Sequence, residues 1–308
     1  MHVRWTRRRL IAVVGLALTV AATGCQGGGD PDTIVVGSKN FTEQEILGQI
    51  MAQMIEAHSD LTVKRNLALG GTMICFSALK AGDLDLYAEY TGTGLVNILE
   101  EKVIADPDQA YDAVSKAFDE QYGLTWLDPF GFNNTYTLTM RKDHAARLGI
   151  ASISDLAAYL NGDGEDLRAG FDAEFFTRPD GYEGLNKHYG FAFPGRPKQM
   201  DPGLMYRAAA DEAVDVIDGF ATDGRIPAFN LVVLEDDKGF FPPYYAAPLV
   251  RGEALEAHPE VGDILNRLAG RISNEAMQRM NYQVDEEGRK AADVAREFLV
   301  EQGLIPAP

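Results

Sequence analysis

The feature that most constrains the fold is an alternation of short β-branched runs with amphipathic helical stretches. Thr33-Ile34-Val35-Val36 reads as a strand, and Gly37-Ser38-Lys39-Asn40 turns the chain toward a helix. Thr42 and Glu45 stand at capping-box spacing, with Phe41 and Ile46 placed as the hydrophobic staple around them. Ile46, Leu47, Ile50, Met51, Met54 and Ile55 then recur with helical period. Leu61-Thr62-Val63 predicts the next strand, Gly70-Gly71-Thr72 opens a helix through Lys80, and Gly82 ends it at the C′ position. Residues 83–90 alternate as a third strand. A β-α-β-α-β order predicts a parallel sheet with right-handed crossovers.

A second alternating block follows from about residue 135 to 236. Residues 135–140 predict a strand, Ser154 a cap for a helix through Leu160, and Pro202 the first position of another helix. Residues 214–217 and 231–234 read as strands, and residues 246–250 as a strand returning to the first block. Residues 259–305 read as amphipathic helices packing against it. The two blocks also echo one another. Residues 78–94 (ALKAGDLDLYAEYTGTG) and 208–224 (AAADEAVDVIDGFATDG) align without gaps at an offset of 130, matching Asp85 to Asp215 and Gly94 to Gly224. In each copy an aromatic, Tyr90 or Phe220, stands just past the strand, before a Gly/Thr-rich turn. Ligands of open α/β sheets lie beyond the carboxyl ends of strands, so two facing copies would aim both rings into one cleft.

At 308 residues the chain suits one large domain or two lobes. Its formal charge of −18 argues against a nucleic-acid partner. The first 25 residues differ from the rest. Arg4, Arg7, Arg8 and Arg9 precede an apolar run from Leu10 to Ala22, too short to span a bilayer, and Thr23-Gly24-Cys25 closes it. Residues 1–25 therefore read as an export signal, and the ending resembles a bacterial lipoprotein signal in which Cys25 becomes the lipidated N-terminus. A plain secreted protein cut nearby is the other reading, and three successive arginines leave the export route open. Residues 26–32 (QGGGDPD) predict a flexible tether to the membrane. Beyond Cys25 the one remaining cysteine is Cys75, which rules out an intrachain disulfide framework and sits mid-helix like a buried small hydrophobe.

Residues 37–44 (GSKNFTEQ), 70–72 (GGT), 83–93 (DLDLYAEYTGT), 132–136 (FNNTY) and 241–248 (FPPYYAAP), in this order, resemble the substrate-binding lipoproteins of ABC importers for osmoprotectants such as glycine betaine, choline and carnitine. The resemblance covers nearly all of the chain from residue 33 onward. It implies a type II periplasmic-binding-protein fold, with two α/β lobes joined by two crossing segments and a ligand cleft between them. The boundaries expected are 33–134 with 241–308 for lobe I and 135–240 for lobe II. It also implies an extracytoplasmic, membrane-anchored monomer that serves a permease and its ATPase subunits.

A quaternary ammonium carries a permanent charge and no N–H to donate, so electron-rich ring faces must hold it. Carried over from the family by position, the aromatic cage falls on Tyr90, Tyr136, Phe220 and Tyr244, with Tyr245 as the alternative to Tyr244. Relatives often have Tyr at position 220; Phe keeps the ring face and loses the hydroxyl. Four desolvated contacts of about 2 kcal/mol each correspond to micromolar binding before entropic costs. For a ligand carboxylate the family's anchors match Lys39, Thr93 and Arg178, with Gln44 close to the helix start. Arg178 offers a planar fork for a carboxylate, and Lys39 precedes a helix N-terminus that favours an anion. This set tilts the expectation toward a zwitterionic methylammonium carboxylate.

Enzyme chemistry finds little footing. His58, His144, His188 and His258 lack partners at metal-ligand spacing, and HExxH, CxxC, GxSxG and GxxxxGK[ST] motifs do not occur. No metal and no cofactor is expected. A receptor for another small molecule such as an amino acid, and an extracytoplasmic hydrolase, are the competing readings. Capture by lobe closure around a quaternary ammonium predicts binding nearly independent of pH between about 6 and 8, because neither that cation nor Arg titrates there.

Overall fold

The computed structural model describes His2, residues 32–162 and residues 167–307. The expected signal and lipidation site at Cys25, and the tether up to residue 31, lie outside the described residues. The body opens with β1 (Thr33–Lys39), α1 (Thr42–His58), β2 (Thr62–Gly70), α2 (Thr72–Ala81) and β3 (Leu86–Tyr90). A π-helical turn over Thr93–Ile98, α3 (Pro107–Tyr122) and β4 (Leu124–Trp126) complete the first block. Then come β5 (Tyr136–Arg141), α4 (Lys142–Leu148), α5 (Ile153–Leu160), β6 (Ala169–Asp172), α6 (Ala173–Thr177), α7 (Tyr182–Tyr189), β7 (Lys198–Met200), α8 (Pro202–Ala210), β8 (Val216–Phe220), α9 (Arg225–Ala228) and β9 (Leu231–Val233). The chain returns with β10 (Ala246–Arg251) and closes with α10 (Gly252–Ala257), α11 (Glu260–Asn266), α12 (Asn274–Asp285) and α13 (Ala291–Glu301).

These strands form two five-stranded mixed sheets, ordered β2-β1-β3-β10-β4 and β7-β6-β8-β5-β9. The predicted parallel β1, β2 and β3 stand together, and β10 inserts antiparallel between β3 and β4. In the second sheet β5 lies antiparallel to both β8 and β9. Two segments cross between the sheets, one from β4 to β5 and one from β9 to β10. They are tied by the Asn133–Tyr245 bridge and by the Asn134 N–H, which donates to the Tyr244 carbonyl at 3.0 Å.

The apolar stripe of α1 is fully buried at Ile46, Leu47, Ile50, Met51, Met54 and Ile55, against β1 and β2 on one side and α11, α12 and α13 on the other. Burying each such side chain contributes about 1.5–3 kcal/mol. Gly82 ends α2 in the left-handed region at φ 80°, as its C′ position predicts. Two caps differ from expectation. Phe41, not Thr42, is the N-cap residue of α1, with no side-chain cap bond; the Thr42 hydroxyl instead donates to Asp285 of α12. Ser152, not Ser154, caps α5 in a reciprocal pair with Asp155. The short strands β4, β6 and β7 are also additions to the sequence reading.

Candidate functional site

Sheet topology explains why distant residues meet. Because β1 and β3 are parallel, Lys39 and Tyr90 stand at carboxyl ends on one side of the first sheet. In the second sheet Phe220 ends β8, and the antiparallel register sets Tyr136, the first residue of β5, directly opposite it. Tyr244 comes from the second crossing segment. Its ring packs so closely over Gly92 that a Cβ there would lie 2.8 Å from the ring and 2.9 Å from the Pro243 carbonyl. Only glycine fits that approach.

All four predicted rings line one cavity, as do Lys39, Thr93 and Arg178. The rings form an arc that a fifth, Phe41, completes. Phe41 stacks on Phe220 at 5.5 Å and lies 6.4 Å from Tyr90; Phe220 lies 5.1 Å from Tyr136, and Tyr136 meets Tyr244 edge-on at 5.6 Å. Tyr245 faces away and lines a separate cavity with Phe241 and Pro243. Gln44 is buried but outside the first cavity's lining. Its Oε1 accepts the Lys39 N–H at 3.3 Å and its Nε2 donates to the Ala88 carbonyl at 2.9 Å, so it holds the β1–α1 turn in shape.

The charged groups are arranged more tightly than the sequence suggested. Lys39 Nζ donates to Glu89 Oε1 at 2.6 Å and to Thr72 Oγ1 at 2.9 Å, and it lies 5.2 Å from the Tyr90 ring centroid. The Arg178 fork is turned onto Asp180, through Nε at 2.8 Å and Nη2 at 2.6 Å. Its Nη1 reaches Thr93 Oγ1 at 3.2 Å and Glu174 Oε1 at 3.4 Å. The guanidinium lies 5.3 Å from the Tyr136 centroid and 5.7 Å from that of Tyr244. Two cations therefore sit beside the rings, with Glu89, Asp180 and Glu174 against them and Asp172 in the lining of the same cavity. Without those carboxylates the site would repel a third cation; with them its field is negative.

Hydroxyls behind the rings strengthen that field. Tyr90 donates to Glu43 Oε1 at 2.7 Å and Tyr244 donates to Asp180, which pushes electron density into both rings. Burial first, then nearby carboxylates, holds both phenols well above their usual range, so they stay protonated as donors. Glu43 also accepts from Asn134 at 2.7 Å, from Asn281 at 3.2 Å and from the Thr222 hydroxyl, and burial raises its carboxyl despite these four donors. On the opposite wall, burial pushes Asp172 up to about 6. Its N–H donates to Asp218 Oδ1 at 2.9 Å, and burial next to Asp172 raises Asp218 well above the carboxylate range. Phe41, Glu43, Asp172 and Glu174 were missed as site residues. Phe41 stood at a strand-to-helix switch, a usable signal; the three acids look in sequence like ordinary first-turn or capping carboxylates.

An α/β body of two mixed sheets with a ring-lined cavity between their strand ends is that of a type II periplasmic solute-binding protein. Residues 32–301 match the OpuAC family, described as the substrate binding domain of the ABC-type glycine betaine transport system, and the chain belongs to that family of transport binding proteins, which are not enzymes. It is 39% identical to the carnitine transport binding protein OpuCC of Listeria monocytogenes, over 94% of each chain. It is equally 39% identical to a glycine-betaine-binding protein of Pseudomonas aeruginosa, again over 94% of each. A crystal structure of a glycine betaine/carnitine/choline ABC transporter protein superposes with a TM-score of 0.73 at 38% identity, covering 88% of this chain and 99% of that one.

Proposed function

We propose that this chain captures a trimethylammonium osmoprotectant, of the glycine betaine, carnitine or choline kind, and hands it to an ABC permease with its ATPase subunits. The observation that carries the reading is the convergence of Tyr90, Tyr136, Phe220 and Tyr244 on one cavity backed by carboxylates. Ring faces hold the cation and the surrounding negative charge offsets the loss of its hydration. Lys39, Thr93 and Arg178 form the polar end. Residues 33–134 with 241–308 and residues 135–240 act as the two lobes, and closure brings the Phe220 and Tyr136 rings against the Tyr90 and Tyr244 rings. Differential contacts made only in the closed form drive the equilibrium toward it. Export, lipidation at Cys25 and action as an extracytoplasmic monomer tethered to the membrane belong to the same proposal.

Calorimetric titration with glycine betaine, carnitine, choline, proline and glutamine tests it. Saturable binding of the methylammonium compounds alone is expected; binding of glutamine or proline alone overturns the reading in favour of an amino-acid receptor, and turnover of any of them reopens the hydrolase. Within the cage, Tyr136→Ala should weaken glycine betaine by about tenfold or more, since one contact of about 2 kcal/mol is lost. Unchanged affinity removes Tyr136 from the cage.

A further inference from the structure

One carboxylate crosses the cleft. Glu174 is the second residue of α6, beside the second sheet, yet its side chain lies at the amino end of α2, beside the first. Its Oε1 accepts from the Thr72 hydroxyl at 2.5 Å and from Arg178 Nη1 at 3.4 Å, and its Oε2 meets the Thr72 N–H at 3.4 Å. Gly71 leaves room for it, because a Cβ there would sit 3.0 Å from Oε2. Lys39 Nζ reaches the same Thr72 hydroxyl at 2.9 Å. Burial pushes the Glu174 carboxyl up, but Lys39 and Arg178 pull it down further, to below the ordinary carboxylate range. The group is an anion held by a helix N-terminus, a hydroxyl and two cations, which are the surroundings a ligand carboxylate would need.

The neighbouring charges are matched differently. Glu89 belongs to Lys39 and Asp180 to Arg178, and all four are buried. Glu174 is surplus to those pairs and its side chain is 27% exposed, so it alone of the three carboxylates has solvent to swing into. A ligand with a lone positive charge balances Glu174 where it stands. A zwitterion brings a second carboxylate to the same seat.

Resting on the osmoprotectant reading, we propose that Glu174 is a specificity-determining residue: its carboxylate fills the anion seat at the start of α2, so that a betaine must displace it while choline need not. Binding of a betaine then carries the added cost of moving Glu174 out, and binding of choline keeps Glu174 as part of its counter-charge.

The test is a titration of the purified protein and of Glu174→Gln with glycine betaine and with choline, fold being checked by circular dichroism. Glu174→Gln should shift the preference toward glycine betaine by about tenfold or more, through tighter betaine binding, weaker choline binding or both. Glu174→Asp, one methylene short of Thr72, should shift it the same way by less, and serves if the glutamine variant does not fold. A preference within about twofold of the parent in both variants overturns the proposal, as do equal losses for both ligands, which would make Glu174 a general counter-ion. A parent that binds neither ligand instead overturns the osmoprotectant reading itself.

Discussion

In the first sheet β3 lies between parallel β1 and antiparallel β10; in the second, β8 lies between parallel β6 and antiparallel β5. The offset of 130 residues read from the sequence holds for α2 and α8 and for β3 and β8. Asp85 accepts the Val35 N–H at 2.8 Å and Arg251 Nη2 at 2.6 Å. Its counterpart Asp215 accepts the Arg168 N–H at 2.9 Å and Arg141 Nη2 at 3.3 Å. In both sheets, then, an acid before the central strand ties an amide in, or just before, the parallel neighbour to an arginine that ends the antiparallel one. The interiors differ. Beneath Tyr90, Glu89 is matched by Lys39 and by the Tyr87 hydroxyl at 2.8 Å. Beneath Phe220, the counterpart of Glu89 is Gly219, and Asp218 is crowded against Asp172 with its Oδ2 unpartnered. One scaffold thus carries a matched ion pair on one side and two competing acids on the other.

The largest effect should come from breaking the matched pair. Glu89→Gln leaves a buried lysine without its counter-ion and should cost about 3–5 kcal/mol in chemical denaturation. Asp218→Asn keeps the acceptor for the Asp172 N–H and replaces a carboxyl that burial already holds in its neutral form, so it should be neutral or stabilising; a loss matching that of Glu89→Gln would erase the contrast. Next in size, Asp85→Ala and Asp215→Ala should each cost about 2–3 kcal/mol, since both strand a backbone donor and an arginine. Costs that differ by more than about twofold would mean that the two acids do different jobs. Gly92→Ala pushes against both the Tyr244 ring and the Pro243 carbonyl, so it should weaken glycine betaine by about tenfold and lower the melting temperature as well.

The smallest effect is a pH dependence. Deprotonated Asp172 attracts a cation and the protonated form does not, so affinity should fall by about twofold to fivefold as pH drops through about 6, and Asp172→Asn should flatten the profile. This adds an acid edge to the flat profile expected from arginine and a quaternary ammonium alone. The same raised carboxyl makes a stability contribution that is fully present below its ordinary range near 3.8 and is lost as pH rises through about 6.

Much of the scaffold was readable because it rests on periodicity. The α1 stripe, the strand ending in Tyr90 and the return of residues 246–250 to the first sheet all follow from local pattern, while the strand expected at 214–217 lies at 216–220. Strands β6 and β7 did not announce themselves, since four and three residues leave no period to read. Of the site, the rings were legible as aromatics at strand ends, together with a resemblance covering the same positions. The polar partners were not. Arg178 looked free to bind a carboxylate because nothing local says that Asp180, two residues on, folds back onto its fork. Glu174 reaches Thr72, 102 positions earlier, across a cleft whose geometry only the assembled sheets define.

Glu43 has a mechanical consequence. Its carboxylate gathers Tyr90 from the first sheet, Asn134 from a crossing segment, Asn281 from α12 and Thr222 from just beyond β8. Any motion that carries residue 222 away from α1 must tear that last hydroxyl loose and leave a sunken anion one donor short. The protein therefore brings its own clasp to the shut position, and a guest molecule has only to supply the remainder.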